Sequence, residues 1–476
     1  MTKFLDPLDS AFILLETPGT SMNIGAVIEL EVDNVTDPKE RFELIEASIA
    51  ARIHEIPVLT QRVVRAPFDM TWPILVEDEK FDIHRHVVRA ALPTPGSPAQ
   101  FDAYVSEFLS RALSPQRPLW QLLVIEGLED GRAALVMKVH HALADGVSFA
   151  ETFANLFDIS PEIRAPGPRV QSDDEEPTVT TSLGLLRQAF RRLRRRPQRL
   201  VENVVAWGSR LYEIVRAVIT VISVHGRRNA TPDQPSIFEA RRTSLTGAAG
   251  IEKSFHRTRV PLADVKRAAK ARGVSVTDFV MATTSGALKR LLDDRGDVLK
   301  RDLIAFVPIN VRGEGDTADL GNQISGMLLA LHTDVVDPEE RLRAISSDSM
   351  KTRGEQRRHR ARIFQDVPRV LGPTLLSFGG KVLSAFGLFD RLPMANLMIS
   401  SVAGPPIPLW LSGYRVTSAA PFGPLLGSFS LNITVLGFEE NLEFGLLGCA
   451  DRMDDLSTLC AYLHDEATAF ISATSP

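Results

Sequence analysis

The run LVMKVHHALADGVSF, residues 135 to 149, places two histidines side by side in a chain that holds ten. An imidazole gains and loses a proton near neutral pH, which suits it to take a proton from a hydroxyl and return it to a leaving group. Along a strand, successive side chains alternate sides, so His140 and His141 diverge. One of them is a candidate general base and the other packs. Asp145 and Gly146 follow, ahead of a helical pattern in Phe149, Phe153, Leu156 and Phe157. The plainer alternative stays open: Asp145 caps that helix, Gly146 permits the turn, and the histidines are core residues. No third histidine or carboxylate completes a metal-ligating spacing, so the sequence implies no metal.

Several elements must hold this site. LWQLLVIEGL and RAALVMKVHH, joined by Glu-Asp-Gly, form a predicted hairpin of buried strands ending at the two histidines. IGAVIELEV (24 to 32) is a further strand. PKERFELIEASIAARI (38 to 53) and SPAQFDAYVSEFLSRAL (97 to 113) have helical spacing, the second with a Ser-Pro start. The alternation resumes with ADVKRAAKAR and VTDFVMATTSGALKRLL as helices and with DLIAFVPINVR and SGMLLALHTDV as strands. A late hairpin, SFSLNITVLGF with NLEFGLLGC, turns at Glu439 to Asn441. It sets Leu431, Ile433 and Val435 on one face, Asn432 and Thr434 on the other. VLGPTLLSFGGKVLSAFGLF (370 to 389) approaches the length of a membrane span, but Lys381, Pro373 and its glycines point to a broken helix. That helix lines an apolar channel, touches lipid or belongs to the core.

A chain of 476 residues is long enough for two domains, with 44% hydrophobic and 24% charged residues in the ordinary globular range. Its two cysteines, Cys449 and Cys460, form no ligand or disulfide framework. The first sixteen residues carry Asp6, Asp9 and Glu16, which breaks the pattern of a secretory signal, so a cytoplasmic protein is expected. Residues 159 to 184 read as an exposed linker rich in Pro, Asp, Glu, Ser and Thr. From Thr181 to Ala230 there are eleven Arg against two Glu, 11 − 2 = +9, in a chain whose net charge is −5. Arg191, Arg192, Arg194, Arg195 and Arg196 head an amphipathic pattern over Leu200 to Ile222. This is an arrangement for an anionic surface, or for a helix packed across two halves with its arginines in water. A second basic run, KTRGEQRRHRAR, covers 351 to 362. Nucleic acid fits less well, because no aromatic-interleaved basic face accompanies these runs.

HHALADG resembles the HHxxxDG signature of CoA-dependent acyltransferases. LDPLDSAFILLET, RPLWQLLVIEGLEDGRAALVMKVHHALADG, VPINVRGE, GNQISGMLLALHTD and SSVAGPPIPLWLSG are similar to the bacterial wax ester synthase/diacylglycerol acyltransferase family, almost from end to end. The resemblance implies an α/β fold of two chloramphenicol-acetyltransferase-like halves forming a pseudo-dimer. The divisions expected are 1–165 with the signature, 166–234 as a basic helical linker, and 235–476.

It further implies acyl transfer from acyl-CoA to diacylglycerol, giving triacylglycerol, with His141 as general base. Long-chain alcohols giving wax esters are the first alternative. A non-catalytic lipid-surface scaffold and transfer between carrier-bound groups are others. Asp145 orients the turn through an ion pair for which Arg312 is the candidate, and Asn322 and Asp278 are candidates for orienting substrate. The family's Asn-Asp pair reads Thr277-Asp278 here, a departure that puts one hydrogen-bond donor in question. Pro118, Leu119 and Trp120 match a motif that shapes a strand. No cofactor is implied beyond acyl-CoA as substrate. The expected partners are that thioester, the lipid alcohol, and an anionic membrane or lipid-droplet surface.

Overall fold

Two six-stranded sheets carry the chain in this computed structural model, which describes residues 4–32, 36–143, 155–167, 181–187, 235, 239–247, 250–299, 301–310, 324–359, 363–385, 387, 393–405, 407–427 and 429–474. Asp145, Gly146, Arg312, Asn322, the arginines 191, 192 and 194 to 196, and the amphipathic pattern at 200 to 222 lie outside the described residues.

The first sheet is built around β1 (Asn23–Glu31), eight of whose nine residues are buried because neighbours cover both faces. The sheet continues through β6 (Ala133–His140) and β5 (Trp120–Glu126), the antiparallel hairpin expected, to β4 (Val87–Ala91), which lies parallel to β5. Helix α2 (Pro38–Arg52) covers one face with Ile45 and Ile49. Helix α3 (Pro98–Ser110) covers the other with Phe101, Val105 and Phe108. The Ser-Pro start of α3 is a complete capping box, in which Ser97 and Gln100 satisfy each other's backbone amides.

The second sheet runs β7 (Lys253–Pro261), β14 (Asn441–Cys449), β13 (Leu431–Phe438), β10 (Leu397–Val402), β8 (Ile304–Asn310) and β9 (Ile324–Ala330). Its core packs under α4 (Leu262–Ala271), α5 (Val276–Asp294) and α8 (Leu456–Ser472). Two more helices, α6 (Pro338–His359) and α7 (Ile363–Ala385), lie between β9 and β10 in the chain. Helix α7 is the expected broken helix: Gly372, at φ 71°, interrupts it one residue before Pro373.

One strand ignores the division of the chain. β12 (Tyr414–Phe422) pairs antiparallel with β1, Gly25 opposite Phe422, and β11 (Trp410–Leu411) extends that edge. The second half therefore completes the sheet of the first. The two sheets then meet at backbone distance: a Cβ on Gly445 would stand 1.7 Å from the Pro421 carbonyl oxygen. This contact buries the face of β13 that carries Asn432 and Thr434, which are 0% and 5% exposed. The Asn432 amide donates to the Pro424 carbonyl at 3.0 Å, and Thr434 donates to Asn432 at 2.7 Å.

The stretch expected to be an exposed linker is clasped at its start. Asp158 exchanges backbone hydrogen bonds with Trp410, Arg164 Nη2 reaches Glu55 at 2.8 Å, and the Gly167 amide donates to Glu55 at 2.6 Å. Farther along, Leu185 is fully buried against Val64, Ile74 and Val76.

Candidate active site

Strand β6 delivers both histidines. His140 closes the strand, its amide donating to the Leu119 carbonyl, and the His141 amide donates to the Met22 carbonyl at 2.7 Å. The side chains then part, as the pleat requires. His140 Nδ1 accepts from the Ala142 amide at 3.1 Å, and its Nε2 lies 3.5 Å from Glu16 Oε2. His141 instead lies face to face with Phe12, ring centroids 4.3 Å apart at 27°. Both are buried, at 1% and 8% exposure. His140 is thus committed to the turn, and His141 presents its ring to helix α1 (Pro7–Leu15).

Helix α1 begins at Asp6, whose carboxylate accepts from the Leu8 amide at 3.0 Å. It packs against α7 through Ala11, Leu14 and Leu376. Gly380 on α7 permits this approach, since a Cβ there would come 2.4 Å from Leu15 Cδ2. No spacing in the sequence announced Phe12, a member of an ordinary apolar helix pattern whose partner lies 129 residues later (141 − 12).

Beside the histidines on β6, Lys138 is fully buried. Its ammonium donates to the carbonyls of Phe108 (2.8 Å) and Arg111 (2.7 Å) and lies 4.2 Å from the centre of the Phe108 ring. Burial, with the Arg111 charge nearby, brings its pKa down to about 7. Lys138 therefore fastens the end of α3 behind β6. Lys253, from the second half, ties down the loop after α1 instead, its ammonium donating to the carbonyls of Gly19 at 2.6 Å and Gly250 at 2.7 Å.

A buried charge group spans the halves at the other end of β1, where Glu29 lies opposite Ala134 and Asn23 lies opposite His140. Glu29 on β1 pairs with Arg132 and with Arg257 of β7. Glu443 on β14 stands next to them at 2% exposure, and burial pushes its pKa up to about 7 against the pull of Arg259 and Arg257. No pattern in the sequence marks Glu443, a single carboxylate in an apolar strand.

The other expected residues fall as follows. Asp278 is the third residue of α5 and is 1% exposed. Its carboxylate accepts from the Ser275 amide (3.1 Å), Ser346 Oγ (3.2 Å) and Arg353 (3.2 Å), so it ties α5 to α6. These contacts join two helices and do not test the substrate orientation expected of Asp278. Thr277 beside it is half-buried. In the second basic run, half-buried Arg353 reaches Asp278, while Lys351 is exposed and pairs along the helix with Asp348. Trp120 donates its indole N–H to Leu59 at 2.8 Å and stacks on His86, the structural part expected of it.

Among the described residues, one group has metal-ligating chemistry: Asp302, His332 and Asp334 bring ligand atoms within 4.8 Å of one another. Asp302 already accepts from the amides of His332 (2.6 Å) and Thr333 (2.7 Å) and from the Thr333 hydroxyl (2.7 Å). Those bonds explain the group as the clasp of the turn after β9.

The sequence profile described as the wax ester synthase/diacylglycerol acyltransferase catalytic domain matches residues 5–280, and that of the family's C-terminal domain matches 320–470. A Mycobacterium tuberculosis chain provisionally named a diacylglycerol O-acyltransferase is 30% identical over 466 residues, 95% of this chain and 87% of the relative. The O-acyltransferase WSD of Acinetobacter baylyi is 27% identical over 470 residues, 98% and 96% of the two chains.

Among solved structures, the wax ester synthase/diacylglycerol acyltransferase of Marinobacter aquaeolei VT8 superposes with a TM-score of 0.70 at 23% identity, covering 99% of this chain and 100% of that one. The first condensation domain of the calcium-dependent antibiotic synthetase shares the fold, at a TM-score of 0.57 and 16% identity over 100% and 97%. The two-sheet α/β architecture and the match over both parts of the chain agree: this protein belongs to the wax ester synthase/diacylglycerol acyltransferase family.

Proposed function

We propose that this chain is an O-acyltransferase that moves a long-chain acyl group from acyl-CoA to diacylglycerol, with His141 as general base. The observation that carries the reading is the setting of His141: the residue after a central strand, buried, and held by its ring against Phe12. The acceptor hydroxyl gives its proton to the imidazole, and its oxygen attacks the thioester carbonyl. The tetrahedral intermediate then breaks its C–S bond, and the CoA thiolate leaves with the proton that the imidazole returns. A buried imidazole suits this step, because water that reached it would compete as acceptor.

The relatives support the choice of acceptor, one being named for diacylglycerol O-acyl transfer and the Marinobacter structure for wax ester synthesis as well. The latter name favours long-chain alcohols as a second acceptor class. Asp145 and Arg312 would hold the turn as an ion pair, while Asn322 would orient substrate. The chain divisions at 165 and 234 would bracket a basic segment whose Arg191 to Arg196 face an anionic lipid layer on the cytoplasmic side. Among the described residues no helix is long and apolar enough to cross a membrane, which accords with a peripheral arrangement.

Thiol release from palmitoyl-CoA tests the reading, with dioleoylglycerol, with hexadecanol and with neither, for the wild type, His141→Ala and His140→Ala. Release that needs an alcohol and disappears in His141→Ala is expected, and the preferred alcohol separates the two acceptor classes. Equal release by wild type and His141→Ala would sink the assignment and favour a lipid-surface scaffold.

A further inference from the structure

The short turn Pro67–Asp69 holds two consecutive non-glycine residues in the left-handed region, Phe68 at φ 56° and Asp69 at φ 51°. A bulky side chain enters that region only when its surroundings impose it. Here they do. Asp69 is buried and gripped by the Arg65 guanidinium at 2.9 and 2.7 Å and by Ser377 Oγ at 2.6 Å, while its carbonyl accepts from Thr374 Oγ1 at 2.8 Å. The consequence is outward: Phe68 is thrust into solvent with 87% of its surface exposed, and Met70 follows at 43%.

Helix α7 supplies the rest of this surface. At about 100° per residue, Thr374, Ser377, Phe378 and Lys381 fall within roughly a 100° arc. The face that grips Asp69 therefore also carries Phe378, 66% exposed, and an exposed Lys381. Lys381 supplies an exposed positive charge here, and Arg65, although its guanidinium is taken up by Asp69, keeps part of its surface in water. Elsewhere on α7, Leu376 and Gly380 seat helix α1, whose Phe12 covers His141. One helix separates the exposed aromatic rings from the element that touches the base.

We infer that Phe68, Met70 and Phe378, flanked by Arg65 and Lys381, seat this chain on an anionic lipid layer. The rings enter the boundary between headgroups and acyl chains, and the two cations meet lipid phosphates. The fit is to a lipid layer, because exposed aromatic rings beside an exposed lysine match its apolar-then-anionic profile. The acceptor then leaves the lipid next to α1. That last step rests on the proposed acyl transfer to a lipid alcohol; the docking itself does not.

The test is flotation of the full chain with vesicles of phosphatidylcholine alone or mixed with phosphatidylglycerol. The Phe68→Ser, Phe378→Ser double variant is expected to bind mixed vesicles about tenfold more weakly than wild type, with an unchanged thermal midpoint. Lys381→Gln is expected to weaken binding to the mixed vesicles only. Both native cysteines are buried, so a Phe68→Cys chain takes an environment-sensitive dye at one accessible thiol, whose emission should shift to the blue on vesicles. Vesicle binding by the double variant equal to wild type, or a dye that does not sense the vesicles, would overturn the proposal. So would a dimer that dissociates in the double variant while vesicle binding persists, which would assign the surface to a second copy. Absence of thiol release with any alcohol would count against acyl transfer and leave the vesicle result to decide the docking.

Discussion

Phe12 and His141 lie ring against ring, 4.3 Å between centroids, although 129 residues separate them in the chain. A stacked neighbour restricts rotation of the imidazole about its last torsion, and orientation of a base within its reach of the hydroxyl is a large part of its effect. Phe12→Ala is expected to lower kcat for thiol release about tenfold with little change in KM. Phe12→Tyr, which keeps the ring, should retain most of the rate. Single-turnover thiol release would show it, and an alanine variant with wild-type kcat would remove Phe12 from the site.

Glu443 gives the protein a pH dependence of stability. The groups facing it are Glu29 on β1, Ser418 on β12 and Arg257 and Arg259 on β7. Its carboxyl holds a proton in the fold up to about 7, whereas in the unfolded chain it releases it near its ordinary value of 4.5. Between those two values the folded state binds more protons, so stability is greatest below the lower one and declines as pH rises through the higher, by about 1.4 kcal/mol per pH unit at most. Urea unfolding of wild type and Glu443→Gln from pH 4.5 to 8 should show the wild type losing stability relative to the variant across that interval. Parallel profiles would contradict the assignment.

Arg52 and Asp158 form a fully buried ion pair at 3.0 Å, and Arg52 also donates to the carbonyls of Leu156 and Arg164. Removing one partner strands a charge in the interior, so Arg52→Ala is expected to cost about 3–5 kcal/mol in urea unfolding. Replacing both partners with leucine should recover part of that loss. A cost below that of an ordinary surface substitution would show the pair to be solvated.

Asp278 separates a packing residue from a substrate residue. Its carboxylate is taken up by Ser275, Ser346 and Arg353, so Asp278→Asn is expected to lower stability by about 1–3 kcal/mol while leaving KM for the alcohol within twofold. A raised KM with unchanged stability would return Asp278 to the binding site.

The residues explain what the sequence disclosed. The strand-turn-strand ending at His140 and His141 is a local pattern, a period of two interrupted by Glu-Asp-Gly, and the fold reproduces it. Capping at Ser97 is equally local. What stayed hidden is pairing at long range. The strand at 414–422 and the sheet it joins are not read from the sequence, and the hairpin pattern that puts Asn432 and Thr434 on one face does not say that β12 covers it. Glu443 and Phe12 were invisible for the same reason, each ordinary in its own element and unusual only through a partner far away in the chain.

The crossing of β12 into the first sheet bears on how this chain is made. Gly25 waits for Phe422, 422 − 25 = 397 residues later. At the usual pace of synthesis, about 5–20 residues per second, β1 spends on the order of tens of seconds with one edge open. During that interval the emerging polypeptide carries an unfilled apolar strand, the sort of template to which other nascent chains adhere. A chain stopped at residue 400 should be recovered in the pellet, and supplying residues 401–476 as a separate polypeptide in the same cell should return part of it to the supernatant. Synthesis of this enzyme therefore places a demand on chaperones that falls on its first thirty residues and is lifted by its last eighty.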